Sequence, residues 1–257
     1  MMNNQRRIKA MENDTLGNRM KNYEKESISL NGKACPVVIR LDGNSFHTWT
    51  KKAKLAKPFD DRFLYAMQET ALALCSSIPG AVFGYTQSDE ISIAIRCDQS
   101  EKSMPWFGNR LQKLCSISSS ICSANFNVFA KKNLGDVPLA YFDSRVIYLP
   151  NMKEVINHFI WRQNDCIKNS IAALAQSMFS DKQLLHKHQD DQLSMMLEKG
   201  VDWGKLETHK KYGSFIHRKV EHAEYNGVPY ERKSFYIDKE PLRFSENKNY
   251  IEEAYDF

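Results

Sequence analysis

Three carboxylates stand where this chain could hold a hard metal ion. Leu41-Asp42-Gly43-Asn44-Ser45-Phe46-His47 follows an apolar run that starts at Pro36 and is broken only by Arg40. Gln87-Ser88-Asp89-Glu90 lies between two further apolar runs. The first motif puts a carboxylate at the end of a strand, and the second puts two at the tip of a hairpin. Close carboxylates repel unless a cation lies between them. Magnesium takes one or two carboxylates together with phosphate oxygens and water. Asp42 and Asp89 are the expected ligands, with Glu90 a further ligand or a base. Gly43 has no Cβ, so its backbone can approach a metal or phosphate closely. Two ions about 3.5–4 Å apart would clamp an in-line displacement at phosphorus. The competing reading of Gln87-Ser88-Asp89-Glu90 is a plain polar turn; its coupling to Asp42-Gly43 decides for chemistry.

The elements needed to bring these residues together are legible. Asp14 to Glu26 reads as a helix with Leu16, Met20 and Tyr23 on one face. Cys35 to Leu41 reads as a central strand. Asp60 is the expected N-cap of a helix that ends at Pro79-Gly80. Ala81 to Thr86 and Ile91 to Arg96 form a hairpin; the second alternates Ile91, Ile93 and Ile95 with Ser92, Ala94 and Arg96, the period of a half-buried strand. A helix from Trp106 to Lys132, a strand from Tyr141 to Leu149 and a helix from Lys153 to Phe179 follow. The order strand, helix, strand, strand, helix, strand is the ferredoxin-like pattern. The fold class is therefore α+β: a ferredoxin-like, polymerase-palm (βαββαβ) antiparallel sheet with helices packed on one face and a helical C-terminal extension. In this topology the first and third strands are neighbours, which brings Asp42 to Asp89. Beyond Ser180, residues 182–185 and 190–199 look helical, and 214–220 and 234–237 could be strands. The expected division is a flexible N-terminus (1–13), a palm-like catalytic domain (14–150), a helical extension (151–220) and a C-terminal segment of open role (221–257).

Composition narrows the class. The chain has 257 residues, 42% of them hydrophobic, and no run long enough to span a membrane. No apolar stretch follows Arg6-Arg7, so no secretory signal is read. Cysteines 35, 75, 97, 115, 122 and 166 include no CxxC pair; buried thiols in a reducing, cytoplasmic setting are expected. The net charge is +5, but the cations cluster. One group is Lys51, Lys52, Lys54 and Lys57, and another runs from Lys205 through His209, Lys210 and Lys211 to Lys219. Two such clusters beside an acidic site suggest a polyanion partner.

Several stretches resemble the tRNA-histidine guanylyltransferase family of 3′–5′ polymerases. They are Leu16 to Glu24, Arg40-Leu41-Asp42-Gly43 with Phe46-His47, Lys57-Pro58-Phe59-Asp60, Tyr85 to Glu90, Phe142-Asp143-Ser144-Arg145-Val146 and Trp161-Arg162-Gln163-Asn164-Asp165. The resemblance implies two magnesium ions on Asp42, Asp89 and the Gly43 backbone. It implies a nucleoside triphosphate along Asp42, Gly43, Asn44, Ser45, Phe46, His47, Ser88 and Asp89. Arg40, Lys57, Arg110, Lys113 and Arg145 become candidates for triphosphate or the tRNA 5′ end, and Asn169, Lys210 and Lys211 for RNA. ATP and GTP or other NTPs would be substrates, tRNA the partner, and a dimer of dimers the assembly.

The segment Ile167-Lys168-Asn169-Ser170 departs from the eukaryotic His-Ile-Asn-Asn pattern, and residues 176–200 look more like the bacterial and archaeal branch. That implies template-dependent 5′-end repair, with addition of a single G to histidine tRNA as the alternative. From other classes, a palm-fold nucleotide cyclase needs no RNA, and a nonenzymatic RNA-binding module calls for exposed sheet aromatics where this chain has Val37, Val38, Ile39, Ile91, Ile93 and Ile95. His186, His188, His158, Trp106, Phe126, Phe129, Met195 and Met196 are read as surface or packing residues.

Overall fold

A computed structural model describes residues 15–26, 36–96 and 104–256. The expected flexible start, Cys35 and Cys97 lie outside these. Helix α1 (Leu16–Glu26) buries Met20 and Tyr23, as its spacing predicts. Strand β1 (Val37–Gly43) is buried from Val37 through Leu41. A short helix, α2 (Phe46–Lys52), precedes α3 (Asp61–Ser77). Asp60 caps α3 as expected, accepting from the Arg62 amide at 3.1 Å, and also accepts from the Ala56 amide at 2.9 Å. Gly80 turns the chain at φ +82°, where a Cβ would lie 2.4 Å from the Arg96 carbonyl oxygen.

Strands β2 (Ala81–Gln87) and β3 (Glu90–Ile95) are joined through Ser88 and Asp89 alone. The single helix expected from Trp106 is broken. A 3-10 turn at Trp106–Asn109, with positive φ at Phe107, Gly108 and Asn109, precedes α4 (Leu111–Leu134). Strand β4 (Phe142–Tyr148) and the long helix α5 (Met152–Met178) follow, the latter capped by Asn151. Then come α6 (Asp181–Leu184), α7 (Gln189–Glu198), α8 (Thr208–Tyr212), β5 (Ser214–Tyr225), β6 (Val228–Asp238) and α9 (Lys248–Asp256).

The sheet is antiparallel, in the order β4-β1-β3-β2-β5-β6. Its first four strands with α3 and α4 are the ferredoxin-like unit. Those two helices cover one face, packing Leu74 and Phe126 over Ile39, Leu41, Ile91 and Ile93. Helix α5, expected as an extension, covers the other face with α1 and α9, packing Phe159 over Val38, Phe83, Tyr85 and Phe215. That explains one difference. β3 alternates like a half-solvated strand, yet all six of its residues are buried, because its polar positions face α5. A second difference concerns the boundary expected at 220/221, which falls inside β5. Residues 214–238 form one hairpin that extends the sheet, and α9 packs back on it through Tyr250, so 221–256 is built into the fold. Ile171, Leu174, Ala175 and Met196 form a small separate cluster between α5 and α7.

Candidate active site

The two carboxylate motifs meet at one end of the sheet. Asp42 is the cross-strand partner of Glu90 on β3 and of Asp143 on β4. The Gly43 amide donates to the Asp89 carbonyl oxygen at 3.1 Å, which fixes the end of β1 against the hairpin tip. Burial, together with the charges of Asp42 and Glu90, pushes the Asp89 carboxyl up to about 6, although the Ser88 hydroxyl bond acts the other way. A carboxyl raised by burial and like charge is the donor a bound cation would relieve. A Cβ at Gly43 would stand 2.2 Å from the Phe46 ring, so only glycine fits between Asp42 and that ring. The donor set of Asp42, Asp89 and Gly43 thus suits a hard divalent ion.

Glu90 does not join that set. It is 3% exposed, and its two oxygens accept from Arg162 Nε and Nη2, each at 2.6 Å. Arg40 Nη2 adds a third contact to Glu90 at 2.8 Å and reaches Asp42 Oδ2 at 3.2 Å. Expected as a base or ligand, Glu90 is instead the anion that neutralises two buried arginines. Arg40, expected to hold triphosphate, is itself held by carboxylates. Arg145 is half-exposed, 3.7 Å from Asp42 and 3.5 Å from Asp143, and keeps its place beside the carboxylates. Phe46 is a further correction. Its ring is buried and packs on Trp49, Phe63, Phe126 and Phe142, so it supports the site from the core. Asn44, Ser45 and His47 are exposed.

Beside Ser88 opens a cavity of about 470 Å³. Lys51, Lys54 and Lys57 from the first basic cluster line it, and so do His209 and Lys210 from the second. Asn169 completes the list of expected residues that gather there. Phe59, Phe63 and Leu64 supply an apolar wall. Lys210 Nζ is 2.7 Å from Asp61, which ties α8 to the start of α3 across the pocket rim. Asp61, Glu207 and His209 are close enough to share an ion, but Lys210 already supplies the positive charge there. Lys211 points elsewhere, donating to the Gly204 carbonyl.

Arg110 and Lys113 are also apart. The register of α4 on β4 runs from Asn109, whose carbonyl accepts from Tyr148, to Ser118 beside Ser144. This puts Arg110 and Lys113, both exposed, at the other end of β4 from Asp143.

Sequence reasoning passed over Arg162 as an individual. Its signal was a cation within the buried stripe of α5, with His158, Phe159, Gln163 and Cys166. His158 is fully buried against Phe159 and Trp161, as a packing residue, and burial with Arg162 and Arg40 nearby pushes its pKa down. Phe126 and Met196 are core residues, and Trp106 and Phe129 pack against the core. Cys75, Cys115, Cys122 and Cys166 are free thiols.

Among the described residues no helix is long and apolar enough to cross a membrane. The family model described as tRNAHis guanylyltransferase (Thg1) matches residues 17–150. A solved bacterial tRNA(His) guanylyltransferase (Thg1)-like protein, in complex with ATP, is 38% identical at a TM-score of 0.77 and covers 93% of this chain and 98% of its own. A structure of such a bacterial protein in complex with GTP is 36% identical at 0.74, covering 95% and 100%. The probable tRNA(His) guanylyltransferase of Mus musculus is 32% identical over 155 residues, 59% of this chain and 50% of that protein. The chain spans about half the length of the curated guanylyltransferases it matches. Its strand-end carboxylates, its fold and the match over residues 17–150 agree: the chain belongs to the tRNAHis guanylyltransferase family.

Proposed function

We propose that this chain is a magnesium-dependent nucleotidyltransferase that extends the 5′ end of tRNA in the 3′–5′ direction, repairing truncated ends against the opposing template base. The observation that carries this reading is the junction of the Asp42–Asp89 pair with a pocket lined by two basic clusters distant in sequence. The bacterial relatives solved with ATP and GTP support nucleoside triphosphates as substrates. Their near-complete coverage, against about half for the curated guanylyltransferases, agrees with the bacterial-type look of residues 176–200, from which the repair reading is drawn.

In the first stage a 5′-phosphate oxygen of the RNA attacks the α-phosphorus of ATP and pyrophosphate leaves. In the second the 3′-hydroxyl of the incoming NTP attacks the activated 5′-phosphorus and AMP leaves. Asp42, Asp89 and the Gly43 backbone would hold two magnesium ions, which would supply charge neutralisation at phosphorus and a lowered pKa for the attacking hydroxyl. Lys57 attracts the triphosphate, Lys210 borders the RNA side of the pocket, and the apolar wall at Phe59 and Phe63 accepts a base. Arg145 stands where an RNA 5′ end meets the carboxylates. Asn169 contacts RNA at the pocket rim. A dimer of dimers is the expected assembly.

The test uses 5′-labelled tRNA lacking its first nucleotide, with magnesium, ATP and the four NTPs, and Asp89→Ala as control. Restoration of the missing base, dependent on Asp89 and on the template base, supports the reading. One untemplated G on histidine tRNA alone selects the alternative. No extension, even from a 5′-triphosphate end, rejects both.

A further inference from the structure

We infer that Arg162, on α5, is a positioning residue that sets the geometry of Asp42 through Glu90 and Arg40. The inference deepens the proposed function and rests on it. Arg162 is 5% exposed in its side chain and grips Glu90 with both arms of its guanidinium. It is itself held twice. Asp165 accepts from Nη2 at 2.8 Å, and the Trp161 ring lies under the guanidinium carbon, 4.4 Å from the ring centroid. Glu90 is therefore locked in one orientation, with Oε2 turned to Arg40 Nη2 at 2.8 Å. The same nitrogen lies 3.2 Å from Asp42 Oδ2.

Arg40 is thus shared between a buried, fixed carboxylate and a partly exposed one. The shorter contact is to Glu90. That sharing determines how strongly Arg40 competes with a metal ion for Asp42. With Glu90 loosened, the guanidinium would shift its hold towards Asp42, which it already reaches at 3.2 Å. The chain from Arg162 to Asp42 runs entirely over the polar face of β1 and β3. Groups that orient a ligand from behind typically change metal affinity or activity by 10–100-fold when altered.

The geometry separates Arg162 from a plain core ion pair in a measurable way. Arg162→Lys keeps the charge but loses the two-armed grip. Binding of Mn²⁺, as a spectroscopic stand-in for magnesium, is followed by electron paramagnetic resonance in the presence of ATP and without RNA. Arg162→Lys is expected to weaken Mn²⁺ about tenfold. In the extension assay its magnesium half-saturation rises similarly, and excess magnesium restores much of the lost kcat. Asp165→Asn, which disturbs only the outer side of Arg162, is expected to give about a threefold shift in the same direction.

Unchanged Mn²⁺ affinity in folded Arg162→Lys overturns the inference. So does a kcat loss that magnesium does not restore, since a purely structural role predicts that. If Arg162→Lys does not fold, Asp165→Asn decides alone: wild-type Mn²⁺ affinity and magnesium dependence overturn the inference. Failure of the wild type to bind Mn²⁺ at all rejects the proposed function instead, so the two failures are distinct.

Discussion

Val37, Ile39 and Leu41 point to one face of the sheet, while Arg40 and Asp42, from the same strand, point to the other. β3 repeats the division with Ile91, Ile93 and Ile95 against Glu90, Ser92 and Ala94. The apolar set packs on α3 and α4 in one cluster. The polar set faces α5, and Arg162 and Arg40 pair its carboxylates. Both faces are buried, but not alike. Both carry an apolar cluster removed from water, and the α5 face carries in addition a set of hydrogen-bonded charges at the Asp42 end. The contrast teaches that stability and chemistry are divided between alternate residues of two strands, two residues or fewer apart.

The largest expected effect breaks the division on the polar side. Asp42→Ala should lower 5′ extension at least about 10³-fold, roughly 4 kcal/mol of transition-state stabilisation. Its folding stability should hold or rise, because the substitution removes one of the charges that push Asp89 up. Thermal unfolding without added magnesium, beside the extension assay, checks both halves. A large loss of Tm would show that Asp42 is a structural anion.

Ile93→Ala is the matching change on the apolar side of β3. Ile93 is fully buried. Truncation should cost about 2–5 kcal/mol in urea unfolding, with kcat per folded molecule at low temperature little changed. A kcat loss comparable to that of Asp42→Ala would mean that the two faces are not separable.

His158 sharpens the comparison through pH. It lies under the polar face, 3.4 Å from the Ser92 hydroxyl, and burial with Arg162 and Arg40 nearby depresses its pKa well below 6.5. The unfolded chain therefore binds a proton that the folded chain refuses. Its contribution is present above pH 6.5 and is lost as pH falls below that value, by at most about 1.4 kcal/mol per unit. Asp89 acts oppositely. Its folded pKa, about 6, lies above the ordinary value of 3.8, so the folded chain takes up a proton first and gains stability as pH falls through 6. Without metal the wild type should lose stability only modestly between pH 6.5 and 5. His158→Leu should instead gain stability over that range. Urea midpoints across it decide; parallel curves for the two proteins would remove His158 from the account.

The same division explains what the sequence could show. The order of β1 to β4 with α3 and α4 follows from period and length, and with it the meeting of Asp42 and Asp89, since antiparallel neighbours leave no other place for those ends. The roles of Glu90, Arg40 and Phe46 were not legible. Each depends on which residue stands opposite across a gap of long sequence separation: Arg162 is 72 positions from Glu90. A solvated strand and a strand with buried, paired polar groups have the same period of two, so β3 read as half-exposed. Arg110 and Lys113 were misplaced for a similar reason. Their position depends on the register of α4 along β4, which periodicity does not fix. The pocket was half-visible, as two basic clusters whose joining needed α8 to fold back onto α3.

Asp60 gives the smallest expected effect and tests the pocket side of the molecule. Its carboxylate binds the Arg62 side chain, the Arg62 amide and the Ala56 amide, and the Arg62 bond leads in holding its pKa down, to about 2. The contribution is present above the unfolded value near 3.8 and is lost as pH falls from there towards 2. Arg62 is half-exposed, so screening reduces the charge part, and Asp60→Ala should cost about 1–2 kcal/mol, mostly as a lost cap. The amide at Ala56 lies in the loop that carries Lys54 and Lys57 into the pocket. Asp60→Ala should therefore weaken ATP binding a few-fold while leaving Mn²⁺ affinity in the absence of nucleotide unchanged. If instead Mn²⁺ affinity falls with it, the pocket and the carboxylates are one mechanical unit, and the separation drawn between them fails.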